Sequence, residues 1–462
     1  MIWEKLLSSK RLGIEDHSPS PRTGRSEYEA DIDRIIFCSS FRRLARKTQV
    51  HPLVANDHVH NRLTHSIEVS RVGRALGKAL GESLARDEAL ENFRLPSGNC
   101  SDDLAAIVQA ACLAHDLGNP PFGHAGEEAI IHWFDQNAGE YTRFLHDGQV
   151  QDITKLEGNA QGFRILTQLE NHLFAGGLRL TYATLATFQK YPWASTEPEK
   201  KFGTYLPELN ILQRIFSSLE IPRTGTKWSR HPLAFLVEAA DDICYAIIDI
   251  EDAVEIKILN FSDACDILLK MFDAEERRKL ESEFAPSQMH RVNFARIRGP
   301  VFDRSIQQII EGYVRNIEKI FDGSAGYNVF DFLDNDNHVK QTIISAKKLG
   351  RENFYNDTRK IEIEIGCYAT FDTLLREFFS AAHNVATVLS EGQGNKVLWK
   401  SDRVLKLLGD HAPRGDNAPP DGWSRHQCFR RVLDFVSGMT DNYAIYVAKQ
   451  LQGSGFSGAQ RP

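Results

Sequence analysis

The chain has 462 residues, of which 42% are hydrophobic and 25% charged, and a formal net charge of −7. This composition is typical of a globular protein and excludes a largely disordered one, and the absence of any run of about 18 apolar residues excludes a membrane span. The start Met1–Lys5 carries an acid and lacks a long apolar segment, so it does not resemble a secretory signal. The net negative charge argues against bulk binding of nucleic acid, although a local basic patch could still meet phosphates.

The seven cysteines are scattered along the chain and never spaced C-x-x-C. Neither a disulfide framework nor a zinc ribbon is therefore predicted. Reduced thiols and the missing secretory signal together predict a cytoplasmic protein.

The N-terminal part combines a turn-rich segment with a basic one. Residues 1 to about 25 are polar and predict an arm or loop, and a single helix is expected from Asp31 through Leu44. The stretch from Arg42 to Val50 carries four cations. A solvated helix face and a rim that attracts phosphate both remain open for it.

His65 lies on a predicted helix whose other sides carry Leu63, Ile67, Leu76 and Leu80 at roughly helical intervals. A lone helical histidine is more often a hydrogen-bonded structural residue than a metal ligand. His65 is therefore a candidate ligand only if other ligand-type residues join it.

The segment from Leu104 to Ala114 is apolar nearly all round, which predicts a buried helix. His115 and Asp116 follow it, and burying them would be costly unless a metal or hydrogen bonds satisfied them. Gly118, Pro120 and Pro121 then end the helix.

A new helix is expected to start near Gly123. It places His124 and Glu127 at positions i and i+3 on one face of its first turn, where a helix N-terminus favours negative charge. Glu128 lies about 100° further around the helix, so Glu127 is the better partner for His124.

Two later segments add polar candidates. Asn159 lies in Leu156–Leu166, where it is either a helix cap or a site residue, and a helix is expected to continue through Leu169, Leu173 and Phe174. In His231–Asp249, an apolar helix face is flanked by Asp241, Tyr245 and Asp249 at steps of four. Asp241 is the best candidate for a further anionic ligand, since carboxylates among so many apolar residues need partners.

The remainder predicts a surface excursion from Glu197 to Thr226, an amphipathic helix from Phe302 to Ile320, an apolar helix from Ile361 to Phe379 and a final helix from Val432 to Leu451. No internal repeat is evident. The fold class predicted is all-α.

Together His65, His115, Asp116 and Asp241 form a mixed imidazole and carboxylate set that leaves open positions on an octahedral ion, which suits Mn, Fe or Mg more than structural zinc. Such an ion lowers the pKa of bound water and polarises a phosphoryl oxygen, while His124 with Glu127 handles a proton.

The sequence resembles the HD-domain phosphohydrolases, and within them the deoxyguanosine triphosphate triphosphohydrolases. The resemblance covers about residues 30 to 260. It is carried by the motifs Arg42–Leu44, Lys47–Val50, Asn61–Ser66, His115–His124 and Glu157–Gln161.

The resemblance implies roles for individual residues. His65, His115, Asp116 and Asp241 take the metal (Mn, Mg or Fe), and His124 and Glu127 are the catalytic pair. Gln49, Arg62, Tyr245 and Asp249 face the deoxyribose and α-phosphate, Val50 crowds the 2′ position, Asn159 lies near the leaving group, and Lys190, if it is not solvated surface, binds phosphate.

The implied activity is hydrolysis of a dNTP to deoxynucleoside and inorganic triphosphate. The implied organisation is an N-terminal arm (1–29), a catalytic core (30–325) and a C-terminal helical region (326–462) that contributes to the nucleotide pocket or to oligomer contacts. A homo-oligomer, with a hexamer as the family's form, an allosteric dNTP and weak binding of single-stranded nucleic acid are further implications.

Two alternatives remain open. Another HD phosphohydrolase, a deoxynucleoside monophosphatase or phosphodiesterase, would release orthophosphate or open a ring. A non-catalytic nucleotide-sensing or nucleic-acid-binding module would use the Arg42–Lys47 patch, but binding alone does not need the metal set with His124 and Glu127.

Overall fold

The structure is a computed structural model that describes residues 1–15, 24–49, 56, 58–286, 289–350, 352, 358–391, 396–413 and 422–454. Helices dominate it, which confirms the all-α class. The α-helices are α1 (Trp3–Leu6), α2 (Glu27–Ile36), α3 (Ser39–Arg43), α4 (Arg62–Arg86), α5 (Ser101–Ala114), α6 (His124–Thr142), α7 (Asp147–Thr154), α8 (Gly158–Arg164), α9 (Tyr182–Phe188), α10 (Leu209–Ser218), α11 (Ala234–Glu255), α12 (Phe261–Leu268), α13 (Ala274–Ser282), α14 (His290–Arg315), α15 (Ile317–Asp322), α16 (His338–Leu349), α17 (Thr358–Glu391), α18 (Trp399–Leu405), α19 (Arg425–Ser437) and α20 (Asp441–Leu451).

Short elements connect these helices. Single 3-10 turns lie at Leu44–Arg46, Glu88–Phe93, Leu206–Glu208, Leu269–Met271, Val329–Phe332 and Lys406–His411, and a π-helical turn at Ile165–Leu169. The strands β1 (Arg223–Thr224) and β2 (Lys227–Trp228) form one antiparallel hairpin. No helix within the described ranges combines the length and the hydropathy needed to cross a bilayer.

The antiparallel pair α4 and α5 brings the first histidine to the second. Gly73, Gly77 and Gly81 recur every four residues on α4 and face α5 so closely that a Cβ at Gly77 would lie 2.8 Å from the Leu104 carbonyl oxygen. Because the glycines let the two backbones approach, the start of α4 lies beside the end of α5. His65 and His115 therefore become neighbours, with ring centroids 5.3 Å apart.

The buried apolar residues form two large cores. The first is built around α4, α5, α9, α11 and α14. The second joins α6 to the C-terminal helices α17, α19 and α20, with Trp133, Tyr141, Phe379 and Phe429 among its aromatic side chains. The turn between α5 and α6 runs from the first core to the second, and the candidate site lies along it.

The first twelve residues take part in the first core, where Trp3, Leu6 and Leu12 are buried. Arg11 donates to Asp31 of α2 at 2.6 Å, which fastens this segment to the core. The division of the chain at residues 29 and 325 stays a prediction.

Three helix predictions were wrong in extent. The helix expected from Asp31 to Leu44 breaks at Phe37–Cys38, because Cys38 is extended and its sulfur caps α3 by accepting from the Phe41 amide. The helix expected through Leu173 and Phe174 ends at Leu169, and both side chains are exposed. The final helix divides after Ser437 and restarts at Asp441.

The segment from Glu197 to Thr226 is more than a surface excursion. It contains α10, whose Leu212, Ile215 and Phe216 are fully buried in the first core.

Candidate functional site

Four ligand-type side chains from two helices and the C-terminal end of a third meet in the structure. His65 comes from α4, His115 caps α5, Asp116 follows it, and Asp241 lies in α11. The ligand atoms of His65, His115 and Asp116 all lie within 4.8 Å of one another. Asp241 Oδ1 lies 3.1 Å from His65 Nε2 and 3.5 Å from His115 Nε2. The four residues predicted from the sequence are therefore brought together.

The orientation of His115 is set by its own helix. Its Nδ1 lies 2.6 Å from the Cys112 carbonyl oxygen, which can only accept, so Nδ1 carries a proton and the lone pair of the neutral ring is on Nε2. Nε2 is buried and has no hydrogen-bond partner among the described residues. A buried lone pair beside two carboxylates fits a bound cation, and the mixed donor set fits Mn, Fe or Mg.

Asp116 is oriented by two neighbours. Arg62 Nη1 donates to its Oδ2 at 2.6 Å, and the Asn119 side-chain amide donates to its Oδ1. Burial raises the pKa of Asp116, but Arg62, His115 and His65 outweigh that effect and lower it to about 2. The carboxylate is therefore ionised at neutral pH.

Asp241 is held ionised in the same way. Burial acts to raise its pKa, yet His115, His65 and Lys190 hold the pKa well below its usual range. Two ionised carboxylates beside two imidazoles give the cluster the charge that a divalent cation needs.

His124 and Glu127 form the expected pair at the start of α6, which confirms the helix predicted near Gly123. His124 Nδ1 donates to Glu127 Oε2 at 3.0 Å, and the His124 side chain is 82% exposed whereas that of Glu127 is 7% exposed. Burial raises the pKa of Glu127, but His124, Lys201 and the Gly158 amide, which donates to Oε1 at 2.8 Å, together lower it. A buried, ionised carboxylate thus holds an exposed imidazole.

Lys201 connects this pair to Glu157, the residue that caps α8. Its Nζ lies 2.8 Å from Glu157 Oε2 and 3.6 Å from Glu127 Oε2. Burial lowers the pKa of Lys201, but Glu127 and Glu157 raise it above its ordinary value, so the ammonium stays charged. Glu157 also accepts from the Asn159 side chain at 2.7 Å.

A single cavity of about 690 Å³ contains the ligand cluster and the pair. Eleven of the thirteen residues predicted for the site line it: Gln49, Arg62, His65, His115, Asp116, His124, Glu127, Asn159, Lys190, Asp241 and Tyr245. Lys190 is not isolated surface, since its Nζ lies 3.3 Å from Glu238 Oε1. The volume lies within the range of small-molecule sites.

The other two predicted residues are placed differently. Asp249 lies two turns beyond Asp241 on α11, is buried, and does not line the cavity. Neither of its carboxylate oxygens has a hydrogen-bond partner among the described residues, and burial, with Asp252 and Asp241, raises its pKa well above the usual value. Val50 lies outside the described residues.

The sequence interpretation missed several lining residues. Lys201 lies in the stretch expected to be a surface excursion, and no local pattern marks it. Lys360, Glu364 and Tyr368 of α17 line the cavity at intervals of four residues. Glu364 and Tyr368 lie on the polar face of the helix predicted from Ile361 to Phe379, and Lys360 lies one residue before it, so this spacing was the available signal. Asn119 and Glu157 lay within the recognised motifs and gained a role only from their contacts.

These features match a known class of protein. Residues 62–215 match the model of the HD domain family, so the fold and the His/Asp cluster are those of the HD phosphohydrolases, which are metal-dependent hydrolases.

Relatives narrow the class. The chain is 42% identical over 461 residues to a deoxyguanosinetriphosphate triphosphohydrolase-like protein of Pseudomonas aeruginosa, covering 98% of this chain and 99% of the relative. It is 32% identical over 474 residues to a protein of the same name from Synechocystis sp., covering 98% and 99%. A deoxyguanosinetriphosphate triphosphohydrolase of Yersinia pseudotuberculosis is 28% identical over 522 residues, covering 96% and 98%. The chain belongs to the deoxyguanosinetriphosphate triphosphohydrolase-like family of HD proteins.

Proposed function

We propose that this protein hydrolyses a dNTP to a deoxynucleoside and inorganic triphosphate. The observation that carries the proposal is the presence of two sets of residues in one cavity, the cluster of His65, His115, Asp116 and Asp241 and the pair of His124 and Glu127. The names of the relatives support the same substrate class.

His65, His115, Asp116 and Asp241 would hold a divalent ion, Mn, Mg or Fe. When bound, such an ion supplies a lowered pKa for a water molecule and charge stabilisation for a phosphoryl oxygen. Arg62 and Asn119 orient Asp116, and the Cys112 carbonyl orients His115, so the protein fixes the directions of these side chains beforehand.

His124 supplies the proton for the leaving group. The ionised Glu127 accepts from Nδ1 of His124, so Nε2 is the ring nitrogen left to meet a substrate in the cavity. In the proposed step a water oxygen bonds to the α-phosphorus and gives up a proton to solvent, while the bond from phosphorus to the 5′-oxygen breaks. The 5′-oxygen takes the proton from Nε2, and His124 regains a proton from solvent. The products are the deoxynucleoside and triphosphate.

Cationic side chains support the binding of a polyphosphate. Lys190 and Lys201 line the cavity on the side of α9 and the segment that follows it, and both are held by carboxylates that keep them charged. Gln49, Asn159 and Tyr245 line the same cavity and are proposed to contact the sugar and leaving group. Helix α17 contributes Lys360, Glu364 and Tyr368 to the lining of the same cavity.

Val50 is proposed to disfavour a ribose 2′-hydroxyl, which equal turnover of GTP and dGTP would contradict. Asp249, which is buried in α11 beside the cavity-lining residues, is proposed to act on the sugar site indirectly, through residues that line the cavity. A hexameric or other homo-oligomer, an allosteric dNTP and weak binding of single-stranded nucleic acid are proposals from the family resemblance alone.

The test is incubation of the protein with each dNTP, and with GTP, in the presence of Mn²⁺, Mg²⁺ or Fe²⁺, followed by chromatographic separation of the products. We expect deoxynucleoside and triphosphate with at least one dNTP. Release of orthophosphate, or of a nucleoside monophosphate with pyrophosphate, would overturn the proposed activity, and orthophosphate would favour the monophosphatase alternative.

The variant His124→Ala should lower kcat by roughly a hundredfold to ten-thousandfold, because it removes a proton donor, while metal binding measured by calorimetry persists. His338→Ala is the matched control, since His338 is also the first residue of a helix and is exposed but lies outside the cavity. Full activity of His124→Ala would refute the role of His124.

A further inference from the structure

Asp441, the first residue of α20, is buried and joins two distant segments of the chain. Its Oδ1 accepts from the Phe122 amide at 3.0 Å, and its Oδ2 accepts from the Thr48 amide at 2.9 Å and from the Thr48 hydroxyl at 2.6 Å. All three are charge-assisted hydrogen bonds, which are stronger than neutral ones. Thr48 precedes the cavity residue Gln49, and Phe122 lies in the turn between the two halves of the site.

Lys47 makes a second link between the same segments. Its buried Nζ donates to the Asn119 carbonyl at 2.5 Å and to the Ser437 carbonyl, at the end of α19, at 3.0 Å. Asn119 in turn donates from its side chain to Asp116. Lys47 thus bridges the end of α19 and the turn between α5 and α6.

The turn needs such attachment because its backbone is strained. Phe122 has φ 62°, and Gly123 has φ 58° and ψ −128°. A positive φ at a phenylalanine costs about 1–3 kcal/mol and persists only where the surroundings enforce it. The bond from the Phe122 amide to Asp441 enforces it at this residue, two positions before His124.

We infer that Asp441 is a positioning residue for the reaction proposed above. It holds the Asn119–Gly123 turn in the conformation that places His124 over the ligand cluster, and it holds Thr48 so that Gln49 enters the cavity. The C-terminal helices therefore serve the catalytic site through this carboxylate as well as through the cavity wall. This inference rests on the proposed function.

The test compares Asp441→Asn with Asp273→Asn. The asparagine has a single acceptor oxygen, so at least one of the two segments loses its bond. Asp273 is the matched control because it also accepts from two backbone amides, those of Glu275 and Glu276, but at the start of α13 and outside the cavity.

With the dNTP that the wild-type protein turns over fastest, Asp441→Asn should lower kcat roughly tenfold to a hundredfold, with a smaller change in KM. Asp273→Asn should leave kcat unchanged. If Asp441→Asn loses no more kcat than Asp273→Asn does, the inference is wrong. Should Asp441→Asn fail to fold, Asp441→Glu, which keeps the carboxylate but moves it by one methylene group away from its place between Phe122 and Thr48, decides the matter by the same comparison.

Hydrogen exchange followed by mass spectrometry gives a readout that does not depend on activity. Amides of the peptide spanning residues 117–126 should exchange faster in Asp441→Asn than in either the wild type or Asp273→Asn. Unchanged exchange would overturn the inference. A wild-type protein that hydrolyses no dNTP would defeat the proposed function alone, and the exchange data would still decide whether Asp441 holds the turn.

Discussion

His115 shows how a single backbone contact prepares a side chain for its task. The Cys112 carbonyl lies one turn before it and fixes the proton on Nδ1, so that Nε2 faces Asp241 and Asp116 with its lone pair. The sequence could predict that His115 and Asp116 needed a partner, because they follow a helix that is apolar all round. Which ring nitrogen faces the cluster depends on distances that only the folded chain supplies.

Other residues could not be found from the sequence alone. Lys201 is brought to Glu127 by a loop, and Asp441 reaches the site from the other end of the chain, 319 residues from Phe122. Neither belongs to a local pattern, since periodicity reports which side of a helix is buried and not which distant segment it meets. Gly438, Thr440 and Asp441 did carry a helix stop and start signal that the sequence interpretation passed over.

The surroundings of one residue, His60, predict how the stability of the fold depends on pH. Burial would lower its pKa, but hydrogen bonds to Asp252 and Glu68 outweigh it and raise the pKa to about 10. The stabilisation it gives is fully present below its ordinary pKa of 6.5 and is lost as the pH rises through about 10.

The variant His60→Gln should therefore show a flatter decline of unfolding free energy between those two pH values than the wild type. The difference in slope should be at most about 1.4 kcal/mol per pH unit. Urea unfolding across this interval measures it, with His338→Gln as the control. Equal slopes for His60→Gln and the wild type would contradict the raised pKa.

At the scale of the element, the turn between α5 and α6 determines the geometry of the site. Its glycines and prolines predicted a helix stop and a reversal, and α6 begins within one residue of the expected position. The sequence could not show how closely the turn packs on α8. A Cβ at Gly118 would lie 2.0 Å from the Gly158 carbonyl oxygen and 2.2 Å from the Gly162 nitrogen, both of them backbone atoms.

Gly118→Ala should therefore push α8 away from the turn. We expect a loss of unfolding free energy of about 2–3 kcal/mol from overpacking, with lower kcat, because the Gly158 amide moves from Glu127. The matched control is Gly139→Ala in α6, where a Cβ meets nothing within 4 Å, and where alanine should stabilise by about 0.5–1 kcal/mol. Thermal unfolding and activity are measured for both variants. Equal stability of Gly118→Ala and Gly139→Ala would contradict the prediction and show that the turn accommodates a Cβ.

Helix predictions failed where a side chain competes with the helix for backbone groups. Cys38 caps α3 by accepting from the Phe41 amide, and Glu170 binds the Ser39 and Ser40 hydroxyls, which stabilises the break after α2. Hydrophobic periodicity continues across Phe37–Cys38, so the sequence pattern predicted one helix there. Long-range hydrogen bonds of this kind override periodicity.

At the scale of the whole molecule, two apolar cores meet at the cavity of the candidate site. The all-α class and the four-residue cluster could be predicted because helical periodicity and short motifs that contain His and Asp are visible within single segments of the sequence. A contribution of the C-terminal helical region to the pocket was expected from the resemblance alone, and the residue pairs that attach these helices were not predicted, because such pairs join segments far apart in the sequence. Arg164 of α8, for example, donates to Asp434 of α19 at 2.7 Å and 2.8 Å, and both residues are buried.

This long-range pairing gives the C-terminal helices a direct place in the site. Arg164 lies five residues after Asn159, Asp441 follows α19, and α17 forms one wall of the cavity. A substitution in these helices is therefore expected to alter turnover even though the motifs of the family lie between residues 30 and 260.

Hydrolysis in water labelled with heavy oxygen tests the central claim most directly. Water is proposed to attack the α-phosphorus and the 5′-oxygen is proposed to leave, so mass spectrometry should find one labelled oxygen in the triphosphate and none in the deoxynucleoside. Label in the deoxynucleoside, in orthophosphate or in a nucleoside monophosphate would contradict the proposed reaction.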